Sequence, residues 1–519
     1  MTTRFVQRAA GRAAFGAMLV GMDARALDGD VTADSVAQFY DVTSPTGQVL
    51  LERRRLTATL GLGAYDLLGT AEGDPHAADL SIRMRVRYDA DYGAPSATSD
   101  PTIFGSIVPG FAPQAVDLMY FYLEGRRFGG GWLGFKLGRQ YVTDVLGWWS
   151  FDGGEVSVTT PYYLKAEAYG GLEQRGGMPL STSRFEADGV WRGDRTGFEP
   201  LLYPEFQPAE VAPALGVALE SVGLTWIHGR LTYRRVYDTG PSTVSEFPDG
   251  SNPGVYDRTR ISSERLGYAV DANLAAIGAV KAGIVYDFYR AEITSAYASL
   301  DGYLGKRLTV STDYDYYLPT FDGDSIWNFF AGEPRSDLGL RANVDIDRRL
   351  SVAGNAHARV STVQTAPFDP GGGFVSSPSP NSAGGYYPTN GHPFDEGGNV
   401  SARWHSGETR IAAHASGDFG SEGDRVGGDV SAEQVIETRY MVGGRAGLWQ
   451  WKDDLRPDRA ATGFQYVANV GYRFDPRCRG SFEWEHDFNG LVGQRFRFMF
   501  LLSLDMGKLP QRTRETAQQ

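Results

Sequence analysis

Charged side chains at strict two-residue spacing are the clearest chemical feature of this 519-residue chain. In Asp79–Tyr88 (DLSIRMRVRY), Arg83, Arg85 and Arg87 share a parity with Ser81, while Leu80, Ile82, Met84, Val86 and Tyr88 take the other. Successive side chains of a strand point to opposite faces, so the segment reads as a strand with one basic and one apolar side. The device recurs near the end of the chain, where Arg495 and Arg497 oppose Phe496, Phe498 and Phe500. Asp313 and Asp315 supply an acidic version opposite Leu308, Val310, Tyr314 and Tyr316, and Glu124, Glu167, Asp271 and Asp287 add further acids. If such faces line a wet lumen, opposed basic and acidic walls set a transverse field that selects polar or charged solutes. The bland alternative is that the charges pair with one another and keep the wall wet.

The residue sets that would make an enzyme are missing. Seven histidines stand singly, without HExxH or zinc-ligand spacing, and neither a GxSxG elbow nor a P-loop occurs. Asp322 and Asp324 in TFDGDSIW fit turn chemistry better than a calcium loop. Cys478 is the only cysteine, which excludes a disulfide framework, a CxxC redox pair and a CxxCH haem attachment. No catalytic, cofactor or metal site is therefore expected. A formal net charge of −13 argues against a nucleic-acid partner.

The elements that must position these charges are amphipathic strands. Leu56–Tyr65, Leu266–Leu274, Val280–Phe288 and Leu338–Ile346 alternate in the same way, with hairpins expected around Gly278, Asp347–Arg349, Gly305-Lys306, Ser406-Gly407 and Asp475–Gly480. After the first 26 residues no apolar run approaches the length of a membrane-spanning helix. Arg4, Arg8 and Arg12, the apolar Ala13–Met22 and Ala24-Arg25-Ala26 read as a secretory signal peptide over residues 1–26. Connections fall into short turns and long Gly/Pro/Ser-rich stretches (Gly93–Ala115, Asp238–Arg260, Pro319–Ser336, Gln364–Gly398), the asymmetry expected of the two rims of an outer-membrane barrel. The last long stretch is expected to be an exposed or inward-folded loop, with simple disorder as the alternative. Aromatics near strand ends, among them Tyr120–Tyr122, Trp148-Trp149, Tyr162-Tyr163 and Trp484, are expected in interfacial girdles. The final strand resembles the insertion signal of such barrels, except that a polar tail, Asp505–Gln519, follows it.

The chain is thus expected to be all-β, one large antiparallel transmembrane barrel of about 18 to 22 strands over residues 49–504. Residues 27–48 are expected to form a periplasmic or lumenal segment, and 505–519 a tail. Leu137-Gly138-Arg139-Gln140 followed by Phe151-Asp152-Gly153 resembles the strand-loop-strand pattern of several outer-membrane porin families, including the alginate-export family. That resemblance implies a place near the pore wall for Arg139 and Asp152, as wall or constriction residues. With Arg83, Arg85, Arg87, Asp313, Asp315, Arg495 and Arg497 they complete the set of candidate lumen residues. The expected function is a porin-like passive channel for a hydrophilic solute or an exported polymer. The alternative is a structural barrel in an envelope-spanning machine for polysaccharide export, a cytochrome conduit, or a surface or motility apparatus. Outer-membrane lipid, the barrel-insertion machinery and such envelope complexes are the expected partners. A secreted soluble all-β protein is the third reading.

Overall fold

In the computed structural model the described residues are 28–507, apart from 70–73, 75–76, 92–114, 175–211, 239–258, 276, 320–333, 362–367, 370–372, 375–394, 421–422, 454–459 and 491–492. The signal-peptide segment, most of the tail and most of the four long connections lie outside them. The strands are β1 (Asp28–Thr43), β2 (Val49–Tyr65), β3 (Asp79–Asp91), β4 (Ala115–Phe128), β5 (Leu133–Asp144), β6 (Gly147–Thr159), β7 (Leu164–Glu173), β8 (Ala212–Ser221), β9 (Ile227–Asp238), β10 (Arg260–Asn273), β11 (Gly278–Asp287) and β12 (Glu292–Leu304). They continue as β13 (Leu308–Tyr317), β14 (Arg335–Asp345), β15 (Leu350–Ser361), β16 (Phe368–Asp369), β17 (Gly373–Phe374), β18 (Asp395–Ser406), β19 (Thr409–Phe419), β20 (Gly423–Ile436), β21 (Tyr440–Asp453), β22 (Ala460–Asp475), β23 (Cys478–Asn489) and β24 (Gly493–Gly507). The two-residue β16 and β17 form a separate ribbon. The other strands make one 22-stranded antiparallel sheet, each paired with its neighbours along the chain, and β1 pairs with β24 to close it. Closure leaves no sheet edge to be covered. The count falls at the upper end of the expected range.

Register carries the parity of each strand around the wall. Val86 and Met84 stand beside Leu60 and Leu62, while Phe39 and Ala37 stand beside Phe498 and Phe500. These side chains point outward, where apolar residues stay exposed: Leu340 is 57% accessible, Leu448 56% and Phe500 48%. The opposite parity is polar or small and faces the interior, where Ser81, Arg87, Glu124, Glu155 and Glu167 are buried. A sheet that is apolar outside and charged inside is the inverse of a soluble β-protein. The expected hairpins all form; Ala272 faces Val280 across the Gly278 turn, and Val344 faces Val352 across the Asp347 turn.

One boundary needs correction. Residues 27–48 are not a segment apart from the barrel, because Asp28–Thr43 is β1, paired along its length with both β2 and β24. Its outward residues are Val31, Ala33, Ser35, Ala37 and Phe39, and its inward ones include Val36 and Val42. Those valines among the inward Asp30, Thr32, Asp34 and Gln38, and Ser35 and Asp41 on the outer face, blur the alternation in the sequence. The barrel also runs three residues past the expected end, to Gly507.

Candidate pore constriction

The β5–β6 hairpin leaves the wall and folds inward over the inner face of β7–β10. Pairing of β5 with β4 ends at Arg139 opposite Phe121, and pairing of β6 with β7 ends at Phe151 opposite Glu173. Beyond those points β5 and β6 pair only with each other, up to Asp144 opposite Gly147. The departure needs a backbone that few residues adopt: Gly138 has φ of +124°, and a Cβ there would collide with the carbonyl oxygen of Phe121. Across the ladder, Gly153 faces Gly171 so closely that a Cβ on it would lie 2.7 Å from the Gly171 Cα. The glycines of the LGRQ and FDGG segments are therefore the pivot of the hairpin.

The hairpin packs one face onto the inner wall of β7–β9. Val142, Trp149 and Phe151 are buried there with Tyr169, Ala212, Ala214 and Val236. Phe151 is 0% accessible, and its ring stacks on Trp149 at 4.3 Å. Burying such side chains contributes about 1.5–3 kcal/mol each. The Trp149 indole N–H donates to Glu173 Oε1 at 2.7 Å. Gln140, from the expected porin-like motif, is 1% accessible and donates to the Gly153 carbonyl at 3.2 Å. Trp149 is thus part of an interior core and not of an interfacial girdle.

At the tip, Asp144 accepts the Leu146 amide at 2.9 Å and the Arg234 guanidinium of β9 at 3.1 Å, with its side chain fully buried. Arg234 also lies over the Trp149 ring, 5.0 Å from its centroid. Val145 and Leu146 reach the inner face of β10, where a Cβ on Gly267 would collide with Val145 and lie 2.7 Å from Leu146 Cδ2. The hairpin is anchored at its base, along one face and at its end.

Its other face looks toward the arginine ladder. Tyr141 packs against Trp148 at 6.0 Å and against Tyr120 of β4 at 5.9 Å, and Tyr120 packs against Tyr122 at 5.7 Å. Tyr120 and Tyr122 stand beside Arg85 and Arg83 of β3 on the inner face. Arg85 reaches Asp34 of β1 at 3.2 Å and Thr59 of β2 at 3.0 Å; Arg83 lies 3.9 Å from Glu124 and over the Tyr65 ring. Arg87 is buried on the same face.

The remaining candidates are scattered around the barrel. Asp313 and Asp315 are inward on β13, next to Gly339 and Asp337 of β14. Arg495 and Arg497 are inward on β24, paired with Glu483, Glu485 and Asp487 of β23. The rows through Arg83, Arg85 and Arg87 cross β2 and β1 and reach β24 at Gly507, Asp505 and Ser503, so the two arginine groups do not share a row. Inward charges elsewhere also pair with an adjacent strand: Lys136 with Glu155, Arg230 with Glu220, Arg265 with Asp287, Arg359 with Asp337 and Arg445 with Asp429. A recess of about 840 Å³ in the inner wall holds Arg403, Arg410, Glu433, Arg445, Glu483 and Arg497, again of both signs. Among the described residues no group of three or more His, Cys, Asp or Glu is placed to hold a metal ion.

Arg139 and Asp152 come together, but on the outward parity: their row runs from Phe121 on one side to Leu172 on the other. They do not line the lumen, because the inward positions beside them are Gly138, Gly153 and Gln140. Sequence reasoning missed Asp144, Arg234 and Trp149 as the residues that hold the hairpin to the inner wall. The available signal was the tight turn at Val145-Leu146 joined to two adjacent tryptophans.

No protein-family model matches the chain, and no curated protein does. Similar solved structures include OccAB4 of Acinetobacter baumannii, at 8% identity and TM-score 0.41 over 92% of this chain and 98% of that one. OpdQ of Pseudomonas aeruginosa gives 8% and 0.39 over 92% and 99%, and the outer membrane protein OpdK of the same organism gives 8% and 0.39 over 92% and 98%. Likenesses this distant leave the barrel to rest on its own strand pairing.

Proposed function

We propose that this chain is an outer-membrane channel for passive passage of hydrophilic solutes, narrowed by the β5–β6 hairpin. The observation that carries the reading is the closed barrel itself, apolar outside and charged inside, with an ordered hairpin folded inward onto its inner wall. A hydrocarbon environment satisfies the outward residues, and strand pairing around the closed sheet satisfies the wall backbone. The connections 92–114, 174–211, 239–259, 318–334 and 362–394 all follow odd-numbered wall strands, which supports one rim of long loops and an opposite rim of short turns. By the usual asymmetry of such barrels the long rim faces outside the cell.

Solutes would pass alongside the hairpin, through the part of the lumen that the Tyr141–Tyr120 contact leaves open, past the wall carrying Arg83 and Arg85. The guanidinium groups at this point favour polar and anionic solutes, tempered by Asp34 and Glu124. Purified protein in a planar bilayer is expected to give discrete conductance steps. Neutral replacement of Arg83, Arg85 and Arg87 together is expected to shift the reversal potential towards cations. A protein that inserts and never conducts overturns the channel. Such a result selects the second reading, a scaffold barrel for an envelope-spanning machine, which the partly filled interior favours.

A further inference from the structure

An ion pair on the outward face of this wall requires a reason. The row that contains it reads Leu62, Met84, Phe121, Arg139, Asp152, Leu172 and Pro213 from β2 to β8, apolar except at its centre. Charges at outward positions are costly in a membrane barrel, so this pair must return something in contacts. The Arg139 fork meets Asp152 twice, with Nε to Oδ1 at 2.7 Å and Nη2 to Oδ2 at 2.8 Å. Its Nη1 donates to the backbone carbonyl of Leu118 at 3.0 Å. Leu118 lies beyond the last β4–β5 pair, on the stretch of β4 that the departing hairpin leaves without β5 as a neighbour. The guanidinium takes the place of the strand that has turned inward, satisfying a carbonyl that would otherwise face hydrocarbon.

We propose that Arg139 and Asp152 are positioning residues: a clamp on the outer side of the wall that fixes where the hairpin leaves it and thereby sets the aperture. Asp152 ties β6 to β5 at the last wall position, Arg139 ties both to β4, and Gly138 turns the chain between them. Neither side chain touches the solute. The lysine alternative keeps the charge and loses the fork, so it separates geometry from charge.

The effect on conductance rests on the channel reading, whereas the effect on hairpin position does not. The test uses Val145→Cys with Gly267→Cys in a Cys478→Ser background, because the tip and β10 are in contact there. In the membrane-inserted protein this pair is expected to oxidise readily to a disulfide. Adding Arg139→Ala is expected to slow that oxidation at least tenfold and to raise the single-channel conductance and its noise. Closing the disulfide in the Arg139→Ala protein is expected to restore the original conductance, which a general loss of stability would not allow. Arg139→Lys is expected to act in the same direction with smaller size, and it decides the question if Arg139→Ala does not insert. Unchanged cross-linking in both variants overturns the clamp. Absence of conductance in the unsubstituted protein overturns the channel and leaves the cross-linking result to judge the clamp.

Discussion

Replacing Asp144 by alanine should release the hairpin tip while leaving the barrel intact. The carboxylate is fully buried and holds both the Arg234 guanidinium at 3.1 Å and the Leu146 amide at 2.9 Å. Removing one member of a buried pair strands the other, a loss of about 3–5 kcal/mol. The orphaned amide adds roughly 1 kcal/mol. Against this stand Val142, Trp149 and Phe151, whose burial contributes about 1.5–3 kcal/mol each before the entropy of ordering the hairpin is subtracted. The loss is comparable with the whole holding energy, and 4 kcal/mol is roughly a thousandfold in an opening equilibrium. Amide exchange read by mass spectrometry on peptides covering 140–150 is the direct assay. Protection there should fall by about two to three orders of magnitude, with β10–β15 unchanged. Asp144→Asn, which keeps an acceptor for Leu146, should lose less. Unaltered protection in the hairpin, or an equal loss around the whole barrel, would refute the anchoring role.

Three further outcomes are expected. Gly138→Ala places a methyl against the Phe121 carbonyl at a φ of +124°, so it should displace the hairpin and raise conductance; Gly354→Ala, whose nearest neighbour would be 3.5 Å away, should not. Val430→Arg, on the outward face at 55% exposure, should destabilise folding into vesicles by about 2–4 kcal/mol if it lies near the bilayer midplane, measured by urea titration. At the β14–β15 turn, the amides of Arg349 and Leu350 hold the Asp347 carboxyl below the usual carboxylate range. Its stabilisation is present above the unfolded value of about 3.9 and is lost as pH falls through the lower folded value. Asp347→Asn should therefore lower the urea midpoint at pH 6 and approach the unsubstituted protein as the solution is acidified.

The outer surface was legible in the sequence because hydrocarbon imposes a simple rule on alternate residues. Leu80 to Tyr88 and Phe496 to Leu504 obey it, and the hairpins around Gly278 and Asp347–Arg349 could be paired from it. Where exceptions fall on both faces, as in β1, the rule is blurred. Arg139 and Asp152 mislead for a different reason: the neighbouring inward positions are glycine and glutamine, so the more polar parity is the outer one. Trp148-Trp149 looked like interfacial anchors because a strand is assumed to stay in the wall, and this hairpin does not. The pairing of Asp144 with Arg234 joins residues on strands separated by β6–β8, a contact that only the tertiary fold creates.

Ion pairing between adjacent strands has a consequence for the electrical character of the interior. Neighbouring strands are about 4.8 Å apart. Opposite charges at that spacing, such as Arg359 with Asp337, Arg445 with Asp429 and Arg497 with Glu483, cancel over less than the screening length of about 8 Å at physiological ionic strength. Where charges pair in this way, an ion on the axis meets small dipoles whose field has largely decayed before it reaches the centre; Asp313 and Asp315, inward beside Gly339 and Asp337, form an acidic exception. Such stretches of wall would hold water well and discriminate little, leaving selection to the acidic group around Asp313 and Asp315 and to the level where the hairpin narrows the lumen.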